Sequence, residues 1–225
     1  MKPFYIAEIG VNFEGSFEKA KRMVLKSKKA GAHAVKFQKY EPKKVLGPTS
    51  PFLAEAHQLS WEELKELSDI AHYYKMQFGC SVFDIDDIKL VDPLVDFHKI
   101  ATRMNKDEYF RTRLLQTKKK VIMSIQKGQL LPYWQPYNLT YMWCVAEYPS
   151  KPEQLKGFLY SDDFGLSSHC PDIQATIDAV KAGARIVEHH VCESKSEKGC
   201  DIAASIDFES FKRMTDECNA ATLAR

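Results

Sequence analysis

Eight short runs rich in β-branched and aromatic residues recur along the chain, at 4–10 (FYIAEIG), 33–39 (HAVKFQK), 76–83 (MQFGCSVF), 95–101 (VDFHKIA), 120–125 (KVIMSI), 139–146 (LTYMWCVA), 163–169 (DFGLSSH) and 185–191 (RIVEHHV). Their length and composition predict strands. Between them the apolar positions change to helical spacing. In residues 16–32, Ala20, Met23, Val24, Ser27 and Ala30 or Gly31 fall on one face. Residues 60–75 open with Ser60 and Glu63, the spacing of a capping box. Residues 170–184 and 207–224 read as two further amphipathic helices, and Gly31 and Gly183 stand where a helix would stop. Two connections read as stunted helices: 127–138 carries two prolines, and 152–161 is about three turns long.

Strands that alternate with helices predict an α/β protein, either an open doubly wound sheet or a closed (β/α)8 TIM barrel. Eight βα units favour the barrel. With 225 residues the chain lies near the short end of the roughly 200 to 400 residues typical of that fold, so residues 1–225 are expected to form one barrel domain without a second.

A barrel points alternate strand residues inward and places chemistry at the C-terminal strand ends. In the last run Ile186, Glu188 and His190 share one face, whereas Val187 and His189 share the other. Glu188 and His190 are thus predicted at the mouth, and His189 in the structure. Strand 7 ends at His169, and neighbouring parallel strands lie about 4.8 Å apart, so His169 and His190 can reach one metal ion. Glu8, Lys36, Gln38 and Lys99 fall on inward positions of strands 1, 2 and 4. Two inward lysines, with no evident inward carboxylate beside them, predict an anionic ligand. Ser81, Thr102, Ser124 and Ser167 end strands 3, 4, 5 and 7 as hydroxyl donors suited to phosphate or carboxylate.

Composition narrows the field. The 32 basic and 30 acidic residues give a net charge of +2 and are well mixed apart from Lys118 to Lys120, which argues against a nucleic-acid partner. No run approaches the roughly 20 apolar residues needed to span a bilayer, and the start carries no signal-peptide pattern, so a cytosolic protein without a membrane partner is expected. The six cysteines (80, 144, 170, 192, 200 and 218) form no C-x-x-C pair and read as reduced, mostly buried thiols. Cys170 and Cys192 stand near the candidate metal histidines, and thiolate ligation there would favour zinc.

Several segments resemble the sialic acid synthases and their relatives. IAEIGVNFEGSFEKAKRMVLKSKKAGAHAVKFQ is similar to that family's opening segment, HKIATRMN to its strand 4 lysine segment, and AEYPS to its tyrosine-proline turn. GLSSHCPDIQATIDAVKAGARIVEHHV and GCDIAASIDFESFK are similar to the segments around and after strands 7 and 8. The resemblance spans nearly the whole chain. It implies a transferase of carbohydrate biosynthesis that condenses phosphoenolpyruvate with a sugar aldehyde and releases phosphate. His169 and His190 fall on its metal histidines, with manganese the expected ion, and Lys36 and Lys99 on its phosphoenolpyruvate lysines, near Ser81, Thr102, Ser124 and Ser167. Glu8, Gln38, Tyr148, Glu188 and Asp201 fall on sugar-contacting or catalytic positions.

Several positions depart from the family pattern. Asn12-Phe13 stands for Asn-His, Thr102-Arg103-Met104 for Ser-Gly-Glu, Ala146 for an asparagine, Ser168 for the aspartate of Ser-Asp-His, and Ile125-Gln126-Lys127 for Thr-Gly-Met after Ser124. The family's C-terminal antifreeze-like domain, which supplies a sugar-binding arginine to the partner subunit, has no counterpart up to Arg225. A homo-oligomer or a separate antifreeze-like protein is the expected partner. Arg103 reads either as a compensating positive charge or as a solvated loop residue. Two other readings stay open: a catalytically silent barrel that binds a sugar phosphate or serves as accessory subunit, and a lyase or aldolase using Lys36 or Lys99 as a Schiff base.

Overall fold

The computed structural model describes residues 2–41, 58–129 and 136–223. Eight strands pair parallel in chain order: β1 (Phe4–Gly10), β2 (Ala34–Lys39), β3 (Gln77–Val82), β4 (Phe97–Ile100), β5 (Lys120–Ile125), β6 (Leu139–Cys144), β7 (Phe164–Ser168) and β8 (Ile186–Cys192). The first strand then pairs with the last, with Phe4 opposite Ile186 and Glu8 opposite His190. That pairing closes the ring and excludes the open sheet.

Helices α1 (Phe17–Lys29), α2 (Trp61–Tyr73), the single turn α3 (Ile88–Val91), α4 (Glu108–Leu115), α5 (Ile173–Ala182) and α6 (Phe208–Leu223) cover the outside. Their ends follow the local chemistry. The Ser16 hydroxyl accepts from Lys19 N, and Ser60 and Glu63 bond reciprocally at 3.1 and 2.8 Å, closing the expected capping box. Gly183, at φ +126°, ends α5. The helix expected over 152–161 is only a 3-10 turn, Pro152–Leu155, because Gly157 turns away at φ +77°. Of the other stunted connection, residues 130–135 lie outside the described residues. A two-residue strand, β9 (Ile206–Asp207), beside Val191 and Cys192 was not foreseen; it is too short to show a period. No helix among the described residues is long and apolar enough to cross a membrane.

The interior is layered along the barrel axis. At the N-terminal end, Ile6, Ala34, Phe97, Ile122, Met142 and Ile186 fill the lumen, with Phe4 below them. Phe97 takes the space that Gly79 leaves, since a Cβ on Gly79 would lie 2.3 Å from its Cζ. Two residues further along six of the strands the inward position turns polar: Ile6 gives way to Glu8, Ala34 to Lys36, Gly79 to Ser81, Phe97 to Lys99, Ile122 to Ser124 and Ile186 to Glu188. A second, larger apolar core, including Tyr5, Val35, Phe37, Phe78 and Val187, packs the outward strand faces against the helices. The dry plug below and this shell around hold the polar layer rigidly at the mouth.

Candidate active site

The polar layer lines a cavity of about 450 Å³ at the C-terminal strand ends. Glu8, Lys36, Gln38, Ser81, Lys99, Thr102, Ser124, Tyr148, Ser167, His169, Glu188 and His190 all face it. Asp201 stands at its edge, its Oδ2 3.6 Å from His190 Nδ1. Gly10, at φ +55°, leaves the room that Glu8, Gln38 and Asp201 occupy, as an added Cβ would lie 3.2 to 3.5 Å from all three. The thirteen candidate residues are thus brought together by the strand register.

The expectation that no carboxylate flanks the lysines is wrong. Lys36 Nζ lies 2.8 Å from Glu8 Oε2 and 3.9 Å from Glu188 Oε2, while Lys99 Nζ lies 3.3 Å from Glu188 Oε1. Each ammonium also donates to a serine: Lys36 to Ser81 Oγ at 3.1 Å and Lys99 to Ser124 Oγ at 2.7 Å. Both hydroxyls therefore keep their own O–H for another acceptor. Ser167 Oγ donates to Glu188 Oε1 at 2.8 Å, and Gln38 Nε2 to Glu8 Oε1 at 2.8 Å. Burial raises the Glu188 carboxyl, but Lys36 and Lys99 outweigh it and hold the group well below the usual carboxylate range. Burial likewise penalises the Lys36 ammonium, yet Glu188 and Glu8 outweigh that penalty and raise it.

On the opposite side the rings of His169 and His190 lie 5.4 Å apart. Burial lowers both imidazoles, keeping them neutral. His169 Nδ1 donates to the Val145 carbonyl at 2.7 Å, which leaves Nε2 as its lone-pair nitrogen. Buried His190 Nδ1 has no hydrogen-bond partner among the described residues. Neutral imidazoles with a free lone pair suit a divalent ion whose other positions are taken by water or substrate. Among the described residues no group of three or more His, Cys, Asp or Glu forms a full cage, so the two histidines are the protein ligands the geometry offers. The half-exposed Tyr148 ring covers them, 3.9 Å from His169 and 5.6 Å from His190. His189 is structural: its Nε2 bonds the Cys170 carbonyl at 2.9 Å, and burial pushes it down to about 4.

The two cysteines expected near the ion lie elsewhere. Cys170 and Cys192 are buried and neither lines the cavity. Cys144 does, with Sγ 3.9 Å from both ring nitrogens of His169. Its position in phase with Met142 and level with Ser167 was the available signal. Burial raises this thiol, so it stands as a neutral group beside the ring. Arg103, Lys106, Gln126 and Phe83 also line the cavity. They lie beyond the strand ends, where alternation no longer tells inward from outward. Met104 and Phe13, two of the departing positions, pack into the outer core.

The NeuB family profile matches residues 23–225. The chain belongs to the NeuB family. Within reach of that family, a pseudaminic acid synthase of Campylobacter jejuni is 30% identical across 99% of this chain and 75% of that protein. The N-acetylneuraminate-9-phosphate synthase of Drosophila melanogaster is 28% identical across 94% of this chain and 66% of that protein. In fold, the N-acetylneuraminic acid synthetase of Leptospira borgpetersenii matches all of this chain and 85% of its own with a TM-score of 0.86 at 21% identity.

Proposed function

We propose that this NeuB-family barrel joins phosphoenolpyruvate to a sugar aldehyde, giving a 2-keto-3-deoxy sugar acid and inorganic phosphate. The observation that carries the reading is the convergence of two paired ammonium groups and two neutral imidazoles on one closed-bottom cavity. Lys36 and Lys99 bind the phosphate and carboxylate of phosphoenolpyruvate, with Ser81, Ser124 and Thr102 adding hydroxyl donors. Gln38, Tyr148 and Asp201 line the acceptor side. His169 and His190 would hold a divalent ion, manganese in the first instance, which supplies Lewis-acid polarisation of an aldehyde oxygen.

Carbon 3 of phosphoenolpyruvate bonds to the aldehyde carbon, whose oxygen takes a proton. Water adds at carbon 2, and the bond from carbon 2 to the phosphate oxygen breaks, leaving a ketone. Glu188 is kept ionised and its buried Oε2 has no hydrogen-bond donor among the described residues, so it is placed to accept the proton of the added water. Glu8, bound by Gln38 and Lys36, orients the acceptor end of the site. The Schiff-base reading loses support, because carboxylates that stabilise the Lys36 ammonium suppress the free amine a carbonyl would need. The reading places the enzyme in the cytosol, with residues 1–225 as its catalytic barrel.

Incubation with manganese, phosphoenolpyruvate and a panel of hexosamine and pentose aldehydes tests it. Phosphate release that requires the aldehyde and disappears in His190→Ala is expected. Binding of phosphoenolpyruvate without turnover on any aldehyde would favour the silent accessory barrel instead.

A further inference from the structure

The mechanism above leaves two cavity-lining cations unused: Arg103, in the 3-10 turn after β4, and Lys106 beyond it. Their charges are not spoken for. Lys36 and Lys99 are matched by Glu8 and Glu188, whereas neither Arg103 nor Lys106 meets a carboxylate among the described residues. With Asp201 at the edge counted, four cations face three carboxylates, and the unmatched positive charge sits at the rim.

The direction of Arg103 is set by its neighbours. Its guanidinium stacks over the Phe83 ring at 5.7 Å, and Phe83 meets Tyr40 edge to face at 5.8 Å. Tyr40 feels the charges of both Arg103 and Asp201, and Asp201 stands 3.6 Å from His190. Asp201 and Arg103 thus both stand near the buried Tyr40, Asp201 on the histidine side and Arg103 against Phe83. A stacked guanidinium keeps its N–H edge free and loses little freedom when that edge grips a planar anion.

We propose that Arg103, assisted by Lys106, recognises an anionic group at the far end of the acceptor, so that the second substrate is a sugar aldehyde bearing a phosphate ester or a carboxylate. The word acceptor rests on the condensation reading; the rim anion site itself does not.

Calorimetric titration of the wild-type protein, with and without saturating phosphoenolpyruvate, separates the two. The probes are mannitol 1-phosphate, mannonate and mannitol, which carry a phosphate, a carboxylate and no charge and have no aldehyde to react. At least one anion is expected to bind 10-fold or more tighter than mannitol, and which one identifies the group. That preference should disappear in Arg103→Ala and fall part-way in Arg103→Lys and Lys106→Ala, while phosphoenolpyruvate affinity changes less than twofold. Equal binding of all three probes overturns the proposal, as does an Arg103→Ala variant that weakens phosphoenolpyruvate as much as the sugar anion. A protein that prefers the sugar anion through Arg103 but binds no phosphoenolpyruvate upholds the rim site and rejects the condensation reading.

Discussion

Replacing Glu188 with glutamine separates substrate binding from turnover. In the ligand-free cavity its two oxygens lie 3.3 Å from Lys99 Nζ and 3.9 Å from Lys36 Nζ. At an effective dielectric of about 20 those distances correspond to gross attractions of about 5 and about 4 kcal/mol, offset in part by the cost of burying the charges. Glutamine keeps the shape and the hydrogen bond from Ser167 but removes the charge. Two consequences of opposite sign follow. The ligand-free variant loses about 3 to 5 kcal/mol of stability, the usual effect of stripping one partner from a buried pair. Phosphoenolpyruvate, which also brings anionic groups to the lysines, no longer competes with a fixed carboxylate. One unit of repulsion removed at about 6 Å is worth up to about 3 kcal/mol, so binding tightens by about 10- to 100-fold. Turnover moves the other way, falling about 100- to 10000-fold with loss of the general base. Titration calorimetry, thermal melts with and without phosphoenolpyruvate, and phosphate-release kinetics measure the three effects. A variant that binds phosphoenolpyruvate more weakly than wild type would refute the view of Glu188 as an internal anion between the lysines.

Other substitutions probe other layers of the design. Gly79→Ala drives a methyl to 2.3 Å from the Phe97 ring in the barrel plug and should cost about 1 to 3 kcal/mol or more in urea unfolding. An unchanged midpoint would mean that the plug is looser than its packing implies. His190→Ala should abolish retention of one manganese per chain after desalting, read by atomic absorption, whereas His189→Gln should keep the ion but lower stability; the reverse pattern contradicts the strand phase. Acid should destabilise the metal-free protein, because burial keeps His98, His169, His189 and His190 below their ordinary value of about 6.5 and the unfolded chain takes up protons that the fold excludes. Stability is then fully present above pH 6.5 and is lost as pH falls. His189 alone, with a folded value of about 4, accounts for about 2 kcal/mol between pH 7 and pH 5. Urea midpoints in chelator that stay level across that range would disprove it.

The sequence by itself determined the eight barrel strands and, in seven of them, the face that carries the chemistry. Period-two alternation is a local property, so the shared phase of Ile186, Glu188 and His190, the opposite phase of His189, and the polar ends of six other strands were legible from residue spacing alone. The capping box at Ser60 and the stop at Gly183 were legible for the same reason, since each involves residues within one helical turn. What only the tertiary structure decided is which of these inward groups touch. Glu8 reaches Lys36 across the β1–β2 register, and Glu188 lies between two lysines from β2 and β4. Those contacts depend on the stagger at which β1 meets β8, and ring closure imposes it on all strands together. The same limit left Arg103 unplaced: past the last ladder bond alternation ends, and packing against Phe83 takes over.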